Sequence, residues 1–248
     1  MDKGRLNLKI DMKIALASYL FKDRDIDFNI SQIKKALSSA KGKADIVCFG
    51  ESFLQGFDAL SWNFDKDKDI AISQNSPVMQ KICDLTLQFG VDLLLGYIER
   101  DEEALFSSCA VIQEGKIIHN YRRVSKGWKQ FDITDFHYQE GKEIKPFSYH
   151  GKEFLLAICG DLWDFPERFK TKSPILWSVF VNYEGDYQEF LSEYAEQASK
   201  VANNVLMINS LSSNPESRDI HGGAFHFCAG KVKAQTENDT EDMLIVEI

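Results

Sequence analysis

The sequence predicts a layered α/β protein in one domain, and two observations support this. Short apolar runs of strand length alternate with longer stretches in which apolar residues recur every three to four positions. The chain has 248 residues, 44% hydrophobic and 27% charged, which is enough apolar material for one sizeable core. We therefore expect a single domain over residues 1–248, with 1–11 as a candidate flexible N-terminal extension.

Ten runs are predicted as strands because β-branched and aromatic residues dominate them. They are Lys13–Ser18, Ile46–Gly50, Asp92–Tyr97, Ser107–Gln113, Lys116–Val124, Phe154–Cys159, Ile175–Asn182, Val205–Ser210, Ala224–Cys228 and Met243–Ile248. Turn residues Glu114-Gly115 and Ala229-Gly230 predict two hairpins, and hence antiparallel neighbours.

Three amphipathic helices are predicted between these runs. The first carries an apolar stripe from Ile30 to Ala40. The second has Ser76 as its N-cap and Gly90 in the position of a left-handed C-cap. The third is expected from Tyr187 to Asn203, with Asp186 capping its start.

Charge and cysteine usage exclude several classes of protein. The formal net charge of −9 argues against a nucleic-acid partner, since that affinity depends on lysine and arginine. No run approaches the roughly 18 apolar residues of a membrane-spanning helix, and the first residues are too polar for a signal peptide. We expect a soluble, cytoplasmic protein without a membrane partner. The five cysteines form no C-x-x-C pair and the histidines show no ligand spacing, so no metal is predicted.

Three residues that could carry chemistry each stand at the C-terminal end of a predicted strand: Glu51, Lys126 and Cys159. Ligands of α/β sheets bind beyond these strand ends, so the three could share one pocket. Cys159 would be a nucleophile whose pKa is lowered by the backbone N–H groups that follow it. Glu51 would accept its proton, while Lys126 and the N–H of Gly160 would hold an oxyanion.

Each residue also has a structural interpretation. A cysteine that ends an apolar strand is commonly a packed core thiol, and Glu51 could be a helix-start or surface carboxylate. Lys126 belongs to a basic stretch of the kind that is usually solvated.

Several motifs, in a fixed order, resemble the nitrilase superfamily of carbon–nitrogen hydrolases over nearly the whole chain. They include Ala44 to Glu51, Gly96 to Arg100, Glu114 to Arg123, Ile158 to Glu167 and Gly222 to Ala224. The resemblance implies a four-layer αββα sandwich, a Glu51–Lys126–Cys159 triad, a thioester intermediate and no cofactor. It further implies a homo-oligomer that hydrolyses a small amide, carbamoyl compound or nitrile, with an amidase as the main expectation.

The sequence departs from the family pattern at three places. The lysine usually follows a Tyr-Arg pair directly, where this chain has Arg123, so Arg123 is the alternative to Lys126. The family's second glutamate falls near Thr134 or Asp135. Trp163 stands where many relatives have arginine, and it either reshapes the substrate pocket or packs as a structural aromatic.

Substrate contacts are expected from Gly160, Trp163, Asn182 and Tyr183. The loops Phe57 to Phe64, Trp128 to His137 and Asn182 to Asp186 are rich in aromatic residues, which suit an apolar or aromatic acyl group or simply cover the core. Two other functions stay open. One is a glutaminase-like subunit that supplies ammonia, and the other is a catalytically silent binding or scaffold protein of the same fold.

Overall fold

A computed structural model describes residues 11–182, 185–214 and 222–248. The candidate extension therefore lies almost entirely outside the described residues. Two six-stranded sheets form the centre of this part of the chain. The strands are, in chain order, β1 Lys13–Ser18, β2 Leu20–Phe21, β3 Ile46–Cys48, β4 Asp92–Asp101, β5 Ala104–Gln113, β6 Lys116–Arg122, β7 Phe147–Tyr149, β8 Lys152–Ile158, β9 Ile175–Val179, β10 Asn204–Asn209, β11 Leu211–Ser212, β12 Gly223–Cys228, β13 Lys231–Gln235 and β14 Asp242–Glu247.

The first sheet has the order β14-β1-β3-β4-β5-β6 and the second β13-β12-β10-β9-β8-β7. Strands β1, β3 and β4 are parallel, as are β8, β9 and β10, and the remaining neighbours in both sheets are antiparallel. Strands β2 and β11 form a separate parallel pair. The helices are α1 Ile26–Ala40, α2 Phe64–Asp67, α3 Pro77–Phe89, α4 Asp161–Asp164 and α5 Tyr187–Ser199.

The sheets pack face to face, with helices on the outer faces. One core joins residues of β1 and β3 to those of β8, β9, β10 and α5, while a second core lies between the first sheet and helices α1 and α3. This arrangement is the αββα sandwich that the sequence resemblance implies. No helix among the described residues is long and apolar enough to cross a membrane.

Local sequence signals account for most element boundaries. Ser76 accepts from the Met79 N–H at the start of α3, and Gly90 takes φ +65° at its end, as predicted. Both predicted hairpin turns have positive φ at their two central residues, the geometry that matches strand twist. Helix α5 stops at Ser199, earlier than predicted, and the short strands β2, β7 and β11 carry no clear pattern.

Candidate active site

Three strand ends converge where the two sheets meet. Glu51 follows β3 and Arg123 follows β6 in the first sheet, while Cys159 follows β8 in the second. The Glu51 N–H donates to the carbonyl of Val179, at the end of β9, over 3.2 Å. This bond ties the first sheet to the second beside the candidate nucleophile.

The Glu51 carboxylate is fully buried, and among the described residues only one of its two oxygens has hydrogen-bond partners. Its Oε1 accepts from Ser107 Oγ at 2.7 Å and from Arg123 Nη1 at 2.9 Å. Its Oε2 has no hydrogen-bond partner among the described residues. A buried oxygen without a donor is costly, and this one is free to receive a proton.

Arg123 is the cation of this cluster, with a side chain only 3% exposed. Its Nε donates to Ser125 Oγ at 2.6 Å and its Nη1 to Glu51, whereas no acceptor among the described residues is paired with Nη2. Burial acts to lower the pKa of Arg123, but the surrounding negative groups, Glu51 foremost and Asp161 with it, together outweigh burial and raise the pKa. The guanidinium therefore stays charged and keeps one donor free.

Cys159 occupies a strained turn that its surroundings hold in place. Its φ is +44°, in the left-handed region that a non-glycine residue rarely adopts. The backbone N–H donates to Ser178 O and the carbonyl accepts from Trp177 Nε1, both at 2.9 Å. The Sγ atom lies 3.8 Å from the carbonyl oxygen of Phe180. Such strain, held by several bonds, is common at functional sites.

The expectation of a lowered thiol pKa is corrected. Burial, reinforced by the charge of Glu51, raises the pKa of Cys159 to about 12, against the opposing effect of Arg123. Helix α4, which follows, has only four residues and cannot offset this. Cys159 is therefore a neutral thiol at pH 7 and needs a base to become a nucleophile.

Asp161, which the sequence analysis overlooked, links the strand ends around the site. Its Oδ2 accepts from Tyr121 Oη at 2.6 Å and Ile158 N at 2.9 Å. Its Oδ1 accepts from the N–H groups of Val124 and Ser125 at 3.0 and 2.8 Å. The signal that could have found it is an acidic residue two positions after the candidate nucleophile, at a strand end where a buried carboxylate needs several donors.

Lys126 is not brought to this cluster. Side chains alternate along a strand, so Tyr121 and Arg123 point to the same face and Arg123 reaches Glu51. Asp161 then fixes the backbone of Val124 and Ser125, and the chain carries Lys126 out to an exposed position. The expected placement of Lys126 beside Cys159 is corrected, and its alternative Arg123 stands there.

Neither candidate for the family's second glutamate contacts the cluster. Thr134 Oγ1 donates to the carbonyl of Gln130 at 2.7 Å. Asp135 is exposed and accepts from the backbone and ring of His137. Both side chains therefore form hydrogen bonds within their own loop.

The other expected contact residues take different positions. Gly160 follows Cys159 directly and lies against the Arg123 guanidinium. Trp163 packs edge-on against Tyr194, with ring centroids 5.2 Å apart, which favours its structural interpretation. Asn182 is exposed, and Tyr183 lies outside the described residues.

Two large surface hollows lie away from this cluster. Two hollows of about 550 and 610 Å³ are lined by neither Glu51, Arg123 nor Cys159. A smaller cavity of about 200 Å³ borders the site through Gly127, where an added Cβ would lie 3.3 Å from Arg123 Nη2. The two large hollows are therefore separate from the cluster of Glu51, Arg123 and Cys159.

Comparisons with known proteins give a family and several relatives. The family model described as carbon-nitrogen hydrolase matches residues 13–248. A glutamine-dependent NAD(+) synthetase of Thermotoga maritima is 28% identical over 145 residues, 56% of this chain and 24% of the relative. This chain thus covers about a quarter of that protein's length. An (R)-stereoselective amidase of a Pseudomonas species is 22% identical over 217 residues, 86% of this chain and 76% of the relative.

A solved structure shares the fold. The CN-hydrolase superfamily protein XC1258 of Xanthomonas campestris superposes with a TM-score of 0.79 at 17% identity. The match covers 96% of this chain and 90% of that one.

Proposed function

The chain belongs to the carbon–nitrogen hydrolase family, and on that premise we propose that it hydrolyses a small amide through a thioester on Cys159. One observation carries the proposal: among the described residues the buried Oε2 of Glu51 has no partner, while Arg123, which bonds to the other oxygen, lies against Gly160 beside Cys159. A base and a nucleophile in one buried cluster are what acyl transfer requires.

In acylation, the Cys159 thiol turns from the Phe180 carbonyl and gives its proton to Glu51 Oε2. Sγ bonds to the amide carbon, and the carbonyl oxygen takes the negative charge. Arg123 Nη2, with the N–H of Gly160, holds that oxyanion. Protonated Glu51 then returns the proton to the departing nitrogen, so ammonia or an amine leaves and a thioester remains.

In deacylation, Glu51 takes a proton from water, whose oxygen attacks the thioester carbon. The second tetrahedral intermediate collapses, the carbon–sulfur bond breaks, and Glu51 restores the proton to sulfur. Atoms and charges balance with one shuttling proton. Arg123 keeps its own protons throughout, because a guanidinium is effectively never deprotonated.

A second candidate is a glutaminase that supplies ammonia to a partner. The 145-residue similarity to a glutamine-dependent NAD(+) synthetase favours it. The two candidates share the chemistry proposed for Cys159 and differ in substrate, since a glutaminase would prefer glutamine to simple amides.

The test measures ammonia release from acetamide, propionamide and glutamine, with intact-mass detection of an acyl adduct after rapid quenching. Cys159→Ala should abolish release and adduct. Cys228→Ala is the matched control, because this half-buried cysteine lies outside the site. Hydrolysis by Cys159→Ala would overturn the mechanism, and no release from any substrate would favour the silent scaffold. Homo-oligomer formation stays a prediction.

A further inference from the structure

A cavity of about 200 Å³ beside the site is lined by aromatic and apolar residues together with three polar ones: Phe57, Leu60, Trp62, Gly127 and Trp128, with Asp58, Lys129 and Gln130. We call it the aromatic pocket. An apolar cavity of about 150 Å³ holds one benzene molecule, so this one has room for a single aromatic ring.

Two of its walls place the aromatic pocket next to the reacting groups. Gly127 lies against the guanidinium of Arg123. On another wall, the ring of Phe57 packs on that of Phe180 with centroids 4.7 Å apart, and the Phe180 carbonyl faces Cys159 Sγ. Two lining residues of the pocket thus contact residues that themselves lie at the reacting groups.

The pocket offers aromatic faces. The indoles of Trp62 and Trp128 stand 6.4 Å apart at 60° and form a corner, behind which Tyr138 packs against both. A planar ring can stack on one indole and meet the edge of the other. The ammonium of Lys129, which also borders the cavity, is already paired with Glu140 at 2.7 Å.

Two features of the pocket cost free energy in the absence of a ligand, and both therefore indicate a binding site. Trp62 has φ +62°, a strained conformation for a bulky side chain, and strain of this kind clusters at ligand clamps. The Nε1–H of Trp128 is buried without an acceptor among the described residues, so an acceptor carried by a ligand would satisfy it.

We propose that the aromatic pocket is the acyl subsite of the enzyme and that the substrate is the amide of an aromatic acid. This inference rests on the proposed function, from which it takes the position of the reacting carbon. Trp62 and Trp128 are then specificity-determining residues that bind the acyl ring.

The first experiment compares acetamide with phenylacetamide as substrates, since both have the same reacting group. We expect kcat/KM to be at least about tenfold higher for phenylacetamide, because ring burial adds apolar area in the transition state. Trp62→Ala should remove this preference, so that the ratio of the two kcat/KM values falls towards one. Trp128→Phe, which keeps a ring without an N–H, should lose part of the preference for phenylacetamide. Phe136→Ala is the matched control, because this exposed residue lies on the same loop as Trp128.

The second experiment measures binding of both amides to Cys159→Ala by calorimetry, which separates the subsite from the hydrolase. Tighter binding of phenylacetamide, weakened by Trp62→Ala, supports the subsite even if the wild-type protein hydrolyses nothing. Hydrolysis of acetamide with no preference for phenylacetamide would overturn the subsite and leave the hydrolase intact. Equal or absent binding of the two amides would also overturn it.

Discussion

The Nη2 atom of Arg123 lies 2.9 Å from the point that a Cβ atom on Gly160 would occupy. Gly160 has φ −64° and ψ −7°, which any residue adopts, so its backbone does not require glycine. The space requires it, because a methyl group here would press on the guanidinium and on Ser125 Oγ at 3.2 Å. Because Gly160 has no side chain, the Arg123 guanidinium has room beside it.

Gly160→Ala should lower kcat by about 10- to 100-fold, because the methyl group displaces the guanidinium, a smaller effect than removing an oxyanion donor outright. The Tm should also fall, because Arg123 is buried and its bonds to Ser125 and Glu51 resist the displacement. In the Arg123→Lys background, Gly160→Ala should cause a much smaller further loss, because lysine has no Nη2 for the methyl group to displace. Steady-state kinetics of the two single variants and the double variant provide the test. An equal loss from Gly160→Ala in both backgrounds would show that the two residues are not coupled.

Arg123, and not Lys126, should be the cation needed for turnover. Arg123→Lys should retain the fold and lose about 10- to 1000-fold in kcat, because one oxyanion donor is misplaced or lost. Lys126→Ala should stay within about twofold of wild type, because its side chain is exposed and makes no contact with Glu51 or Cys159. Kinetics and thermal unfolding of both variants check this. Full activity of Arg123→Lys together with loss in Lys126→Ala would reverse the assignment.

Glu51→Gln should change two properties of Cys159 in opposite directions. Amide turnover should fall about 10²- to 10⁴-fold because the general base is lost. Alkylation of Cys159 by iodoacetamide should become faster at pH 7, because removing the carboxylate charge leaves Arg123 to lower the pKa of the thiol. Peptide mapping distinguishes Cys159 from the other cysteines. Slower alkylation in Glu51→Gln would contradict the charge assignment.

The wild-type thiol should show a steep dependence on pH. With the pKa of Cys159 at about 12, its thiolate fraction and alkylation rate should rise about tenfold per pH unit from pH 7 to 10. An unperturbed cysteine would level off near pH 9. Because the folded pKa is raised, the stability contributed by the protonated thiol is present below the unfolded pKa and lost as pH rises towards 12. A plateau below pH 9 would refute the raised pKa of the Cys159 thiol.

Asp161→Asn should destabilise the fold by about 3 kcal/mol, because the new amide NH₂ would face donors that now bind the carboxylate. Tyr121→Phe, which removes one donor and keeps the other three, should cost about 1 kcal/mol. Urea unfolding of both variants measures the difference. Equal stability of the two would mean that the backbone bonds to Asp161 contribute nothing.

Much of the fold and part of the site could be predicted from sequence because their signals are local. Ser76 and Gly90 bound their helix through capping geometry, and Glu51 and Cys159 follow strands with clear apolar patterns. Continued beyond the end of β6, its period of two places Arg123 on the same face as Tyr121, whereas the expectation of Lys126 depended on the chemistry of lysine.

The pairing of Trp62 with Trp128 could not be predicted. It joins two loops without periodicity, and tertiary packing alone determines how they meet. The free Oε2 of Glu51 was likewise beyond prediction, because it depends on which donors three separate strands bring together.

The protonated state of the Cys159 thiol has a consequence for its sensitivity to oxidants. Peroxides oxidise thiolates far faster than thiols, and only a minute fraction of this sulfur is ionised at neutral pH. The resting protein should therefore resist conversion of Cys159 to a sulfenic acid, although the same residue attacks carbon during turnover. Brief exposure to hydrogen peroxide followed by an activity assay would show this resistance. In Glu51→Gln, mass spectrometry should detect faster oxidation of Cys159. A cysteine that loses its proton only during turnover should thus be protected against the oxidants that inactivate many cysteine enzymes.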